Sequence, residues 1–177
     1  MNRASKARSF AAEAYGSEAE LAHPTEVATL VGSDDEDLWV AAILHDLVED
    51  TQVELPEIAA EFGSRVAALV AGMTEDGSIE DYGERKHEHR QRARDAGRDV
   101  ALLFVADKLS NIRRMRRGQK APQAAKLEHY RLTLETMRDV YPDVPLLDEL
   151  EQELVATQRP TTPATAPPVA RQDAAPA

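Results

Sequence analysis

The chain has no cysteine among its 177 residues. Disulfides, thiolate metal sites such as zinc fingers and a thiol nucleophile are all excluded. It also lacks a long apolar run. The longest, near Leu38–Leu44 and Val100–Ala106, fall well short of the roughly 20 residues that cross a bilayer. The first ten residues hold Arg3, Lys6 and Arg8 but no apolar segment of the kind that marks a secretory leader. The expectation is a cytoplasmic protein with no membrane partner. Positive charge is scarce too: 21 Lys and Arg stand against 32 Asp and Glu, a net charge of −11. General nucleic-acid binding needs a basic surface, so that class is set aside. A small anionic ligand held by a local basic patch and a metal stays open.

Convincing period-two alternation is missing as well, and no internal repeat occurs. The patterning is helical nearly throughout, which predicts an all-α, multi-helix bundle. A first helix is expected over Ser5 to Tyr15, ended by Gly16, and a second opens at Pro24. Ser33-Asp34-Asp35-Glu36 has the form of a capping box for a third. Leu55-Pro56 starts another, interrupted at Gly63, and Ser64 can cap its successor. Thr74 to Gly83 reads as a polar loop, and Glu84 to Ala96 as an exposed, highly charged helix. Asp99 is expected to cap Val100 to Arg117. Helices over Pro122 to Val140 and Pro145 to Val155 complete a domain over residues 1–157. Residues 158–177 are rich in Pro, Ala and Thr, lack apolar periodicity, and read as a disordered tail.

Two helices carry charges where apolar side chains belong. Within Ala41-Ala42-Ile43-Leu44-His45-Asp46-Leu47-Val48-Glu49-Asp50-Thr51, four residues are ionisable. Read as one helix, His45, Asp46, Glu49 and Asp50 sit at roughly 0°, 100°, 40° and 140°, on one arc. Leu38, Trp39 and Ala42 cover that arc one turn earlier, so the helix looks buried almost all round. Buried charge is costly unless paired or bound to a metal. A divalent cation held by His45 and Asp46, with Glu49 and Asp50 facing its water, accounts for all four. Asp107 is the second anomaly, in Ala101-Leu102-Leu103-Phe104-Val105-Ala106-Asp107-Lys108-Leu109, with Asn111 one turn on. Taken alone it is as well explained by pairing with Lys108 or Arg113-Arg114. His23-Pro24 adds a further imidazole before a helix. His23, His45, Asp46 and Asp107 together make a mixed N/O ligand set suited to Mn²⁺, Fe²⁺ or Zn²⁺.

These motifs come in an order that resembles a known family. His23-Pro24, His45-Asp46, Glu49-Asp50-Thr51, Phe62-Gly63 and Ala106-Asp107-Lys108-Leu109-Ser110-Asn111-Ile112-Arg113 are similar to those of HD-domain hydrolases of the RelA/SpoT type. Within that type, the chain especially resembles the small single-domain (p)ppGpp 3′-pyrophosphohydrolases. The resemblance covers about residues 10 to 155. It implies a Mn²⁺ held by His23, His45, Asp46 and Asp107, and a water-activating pair in Glu49 and Asp50. It implies substrate contacts from Asn111, Lys126 and Tyr130, and a small nucleotide as partner. Other outcomes of the same resemblance are hydrolysis of a different nucleotide, or a silent nucleotide sensor. Family members carry a basic run after Phe-Ala-Ala; here Phe10-Ala11-Ala12 leads into Glu13-Ala14-Tyr15-Gly16-Ser17, with Glu18 and Glu20 following. This predicts a mouth less favourable to highly phosphorylated ligands, with Glu13 as the discriminating residue.

Two charge clusters complete the reading. Lys86-His87-Glu88-His89-Arg90 is read as a solvated helix face rather than a second metal site. Arg113, Arg114, Arg116, Arg117 and Lys120 are either a surface patch at a helix C-terminus or a lure for polyphosphate.

Overall fold

A computed structural model of the chain describes residues 2–158. All regular structure among the described residues is helical, as the periodicity predicts. The helices are α1 (Arg3–Tyr15), α2 (Ala22–Val31), α3 (Glu36–Leu44), α4 (Leu47–Asp50) and α5 (Leu55–Phe62). They continue as α6 (Ser64–Met73), α7 (Tyr82–Asp95), α8 (Arg98–Arg116), α9 (Ala124–Val140) and α10 (Leu147–Gln158). The proposed tail begins at the last residue of α10, and from residue 159 onward it lies outside the described residues.

The boundaries follow local chemistry. Asn2 caps α1, its Oδ1 accepting from the Ser5 amide at 2.8 Å, and Gly16 closes the helix at φ 69°. The segment after Gly16 is not an open loop, because Glu18–Leu21 form a 3₁₀ turn capped by Ser17 and leading directly into α2. Pro24 therefore falls inside the first turn of α2 rather than opening it, where its missing N–H costs nothing. The cap of α3 is Asp35, not Ser33: its Oδ1 accepts from the Asp37 amide, while Ser33 Oγ accepts from Asp35 N. Gly97 rather than Asp99 precedes α8, and Asp99 instead pairs with Arg65 at 3.0 Å. Helices α9 and α10 begin two residues later than Pro122 and Pro145 suggested, and α10 runs three residues past Val155.

The expected continuous helix through His45 is broken. It stops at Leu44, His45 and Asp46 form a turn, and α4 restarts at Leu47. His45 Nδ1 lies 2.8 Å from the Ala42 carbonyl and competes for a backbone acceptor. Asp46, at φ −94° and ψ −6°, sits at the edge of the right-handed helical region, and its carbonyl accepts from Glu49 and Asp50.

Helix α8 is the axis. It packs against α2, α6, α7, α9 and α10, while α3 lies against α1, α2 and α6. Val100 to Ser110 are buried without interruption, so an apolar rod carries Asp107, Lys108 and Ser110 into the interior. Phe104, fully buried, contributes of the order of 1.5–3 kcal/mol through area removed from water. Such burial offsets the cost of the polar groups beside it. α6 comes so close to α8 that a Cβ on Gly72 would lie 2.9 Å from Val100 Cγ1.

α7 departs most from expectation. His89 and Arg90 are buried at 3% and 6% exposure, and Ala93 is fully buried. The helix is solvated at Glu84, His87 and Asp95 but buries one polar edge, where His89 bonds the Met73 carbonyl and Arg90 bonds His129 of α9.

Candidate metal centre and cleft

Three elements bring the predicted ligands together. The turn after α3 presents His45 and Asp46, the first turn of α2 presents His23, and the middle of α8 presents Asp107. His23 Nε2 is 3.0 Å from Asp107 Oδ1, and His45 Nε2 is 3.9 Å from the same oxygen. Asp46, partly exposed, places Oδ1 3.1 Å from His45 Nε2 and Oδ2 3.6 Å from His23 Nε2. One ligating atom from each of His23, His45 and Asp107 lies within 4.8 Å of the others. Donors about 2.1 Å from a shared ion are separated by this kind of distance.

Hydrogen bonds on the far side of each imidazole set its tautomer. The Ala42 carbonyl can only accept, so His45 carries its proton on Nδ1. Ser110 Oγ donates its only proton to Glu26 at 3.1 Å and therefore accepts from His23 Nδ1–H at 3.0 Å. Both Nε2 lone pairs then face the carboxylates. His45 Nε2 is buried and has no hydrogen-bond partner among the described residues. Lone pairs of nitrogen and carboxylate oxygen at this separation repel unless a proton or a cation lies between them. The donor set fits a divalent metal for that reason. Without one, burial disfavours the His45 cation, but Asp46 and Asp107 outweigh it and push the imidazole up to about 9. Burial likewise opposes ionisation of Asp107, but Lys108, His23 and His45 prevail and hold it well below the usual carboxylate range.

Asp107 is gripped on both oxygens. Lys108 Nζ donates to Oδ2 at 2.6 Å, and Asn111 Nδ2 donates to Oδ1 at 2.5 Å. Lys120 Nζ in turn donates to Asn111 Oδ1 at 2.9 Å. The pairing of Asp107 with Lys108, weighed above as the alternative to ligation, coexists with the cluster: the carboxylate has oxygens enough for both.

A cleft of about 270 Å³ opens over these residues. Glu49, Asp50, Asn111, Lys126 and Tyr130, each expected at a site, all line it, as do His23, Asp46 and Asp107. Glu49 opens to the cleft, and its Oε1 accepts from the Glu75 amide at 2.7 Å. Desolvation by the cleft walls outweighs that bond and, with Asp46, raises the carboxyl to about 7. Asp50 is raised as well, by desolvation and then by Asp46. Tyr82, Lys86 and His129 also line the cleft, and the sequence reading placed none of them there. Lys86 lay in a charged stretch that resembled a surface helix, Tyr82 in a polar loop and His129 in another helix, and the convergence of α7 with α9 cannot be read from either alone.

A second lobe of about 200 Å³ shares His23, Asp46, Asp50 and Lys120 with the first and extends to Tyr15, Glu20 and Arg114. The arginine cluster divides here. Arg113 pairs with Glu149 and Glu153, Arg116 with Glu153, and Arg117 with Glu26. Arg114 and Lys120 turn to the lobes instead. Glu13 is exposed on α1, and of the acidic residues around it Glu20 is the one that lines the lobe. Glu13, where the sequence led us to expect the discriminating residue, lines neither lobe, whereas Glu20 of the 3₁₀ turn stands at the rim of the second.

A helical bundle with paired imidazoles and carboxylates at its centre defines a class, and the HD-domain family model matches residues 2–134. The chain belongs to the HD-domain family. It is 36% identical over 119 residues to a guanosine-3′,5′-bis(diphosphate) 3′-pyrophosphohydrolase of Aquifex aeolicus, which covers 61% of this chain and 17% of that protein. It is 35% identical over 99 residues to the guanosine-3′,5′-bis(diphosphate) 3′-pyrophosphohydrolase MESH1 of Danio rerio, covering 54% of each. The chain thus spans about half or less of the curated relatives it matches. Among solved structures, a metazoan ortholog of SpoT superposes with a TM-score of 0.73 at 23% identity, covering 89% of this chain and 96% of that one. A crystal structure from Listeria monocytogenes EGD-e gives 0.68 at 29% identity, covering 76% and 92%. No helix among the described residues is long and apolar enough to cross a membrane.

Proposed function

We propose that residues 1–157 form a metal-dependent nucleotide phosphohydrolase domain whose substrate is (p)ppGpp, cleaved at the 3′-pyrophosphate. The observation that carries this reading is the inward pair of Nε2 lone pairs, each fixed by a bond behind the ring, facing Asp46 and Asp107. His23, His45, Asp46 and Asp107 would hold the cation; the N/O set suits Mn²⁺, Fe²⁺ or Zn²⁺, and the family resemblance favours Mn²⁺. A bound divalent cation lowers the pKa of water and offsets charge on phosphoryl oxygens. Glu49, with a carboxyl near neutrality, accepts the proton as the water oxygen attacks phosphorus, and Asp50 beside it assists. The bond from phosphorus to the 3′ oxygen breaks, and that oxygen gains a proton. The products are pyrophosphate and GDP or GTP. Asn111 and Lys120 orient Asp107, while Lys126 and Tyr130 stand where they can contact the nucleotide. The names of the relatives support the substrate, and the lysines of the cleft complement its phosphates.

Incubating the purified protein with Mn²⁺ and ppGpp, and resolving products by ion-exchange chromatography, tests this. Stoichiometric pyrophosphate and GDP are expected. Cleavage of other nucleotides but not of ppGpp would reject the substrate, and absence of any bound divalent metal by elemental analysis would reject the mechanism.

A further inference from the structure

The metal cluster occupies one wall of the cleft. The rest of the lining comes from α7 and α9, with Lys108 of α8 reaching in from beside Asp107, and it is rich in donors: Tyr82, Lys86, Lys108, Lys126, His129 and Tyr130. Two of these are buried groups without partners. The Tyr82 hydroxyl and His129 Nε2 are buried at the cleft and make no hydrogen bond among the described residues. An unmet buried polar group is costly, so its retention at a cleft points to a ligand.

His129 has a defined state. It is 3% exposed, and Arg90, 6% exposed, places NH1 2.8 Å from its Nδ1. A guanidinium only donates, so Nδ1 must accept and the ring proton must sit on Nε2. Burial, and then Lys108, Lys86 and Arg90 nearby, push the imidazole down to about 2, so the ring stays neutral. It is edge-on to Phe104, with ring centroids 6.0 Å apart, and cannot readily turn.

We infer that His129 is a specificity-determining donor: its Nε2–H, held in that tautomer by Arg90, binds a terminal phosphoryl oxygen seated against the lysine wall. Arg90 acts through His129 as a positioning residue. The inference deepens the phosphohydrolase reading and rests on it for the ligand class. A neutral donor adds directionality where ammonium groups give charge alone. A phosphoryl group suits this wall because it offers acceptors on every side.

Inorganic pyrophosphate with Mg²⁺ is the probe, measured by calorimetry on the full chain, so that no turnover is needed. Wild type should bind it, His129→Leu should weaken binding at least tenfold, and His129→Gln, which restores an N–H, should recover most of the loss. In ¹⁵N-histidine spectra the His129 Nε2–H signal should shift on saturation, and Arg90→Met should mix the two tautomers. Unchanged binding in His129→Leu, or no pyrophosphate binding by wild type, overturns the inference. If His129→Leu does not fold, an unmoved wild-type Nε2–H signal at saturation overturns it. An unaltered tautomer in Arg90→Met removes the positioning role. Pyrophosphate binding that depends on His129, in a protein that hydrolyses no nucleotide, would uphold this inference and reject the proposed activity.

Discussion

At the scale of residues, the proposed roles in catalysis and in metal binding fall on different side chains. Glu49 lies outside the His-Asp cluster, so Glu49→Ala should retain the metal and lose hydrolysis by about 10²-fold or more, the usual contribution of a general base. Steady-state rates with elemental analysis check both halves. Because its carboxyl is raised to about 7 and must be ionised to accept a proton, the rate should climb with pH through neutrality. A rate flat from pH 5.5 to 8 would remove Glu49 from this role. Ser110 makes a different kind of contribution. Ser110→Ala frees His23 to take either tautomer, and metal affinity should fall about 10- to 100-fold by titration, with the fold intact. The sequence could suggest His45, Asp46 and Asp107 because charge inside an apolar pattern is anomalous, and His23 because their ligand set was incomplete without it. It could not suggest Ser110, Glu26 or His129, whose residue types are ordinary at helix positions. Their roles arise only from partners distant in the chain, such as Arg90 for His129.

At the scale of elements, existence was legible and junctions were not. Apolar spacing and glycines located the helices, and Gly16 and Gly63 ended theirs as expected. The break at His45-Asp46 was hidden, because nothing in Ala41 to Asp50 is a helix breaker. A side chain bonding its own backbone produces it. The buried face of α7 was hidden because hydrophobicity is a poor guide where burial is balanced by ion pairs and hydrogen bonds. Glu75 illustrates this, with Arg85 and Lys86 both bound to its carboxylate. The α6–α8 contact gives a test of close packing. A Cβ on Gly72 would meet Val100 Cγ1 at 2.9 Å and Ala96 Cβ at 3.1 Å. Gly72→Ala should therefore destabilise by about 1–2 kcal/mol in urea denaturation, overpacking exceeding the gain in helix propensity. Combined with Val100→Ala, the loss should be smaller than the sum of the single variants. Strict additivity would show that the two helices do not press on each other there.

For the whole molecule, stability and loading are linked. Removing metal leaves His45 with a folded-state pKa of about 9, above its ordinary 6.5. Such a group stabilises the fold fully below about pH 6.5, and that contribution disappears as pH rises through 9. The chelated protein should accordingly lose Tm between pH 6.5 and 9. A cation takes the proton's place, so the loaded protein should lose much less, and its Tm should exceed the chelated value most at the alkaline end. Scanning calorimetry with and without EDTA across that range checks the sign. Equal slopes would mean that His45 does not face the ion.

Under the proposed hydrolysis, the two lobes meeting at His23, Asp46, Asp50 and Lys120 also govern how products leave. A ligand long enough to enter both is held at two ends by one rigid body, and each end raises the local concentration of the other. Cutting it at the junction abolishes that mutual help. Each fragment is left with the grip of one lobe alone, so the event that completes turnover is also the one that loosens the products.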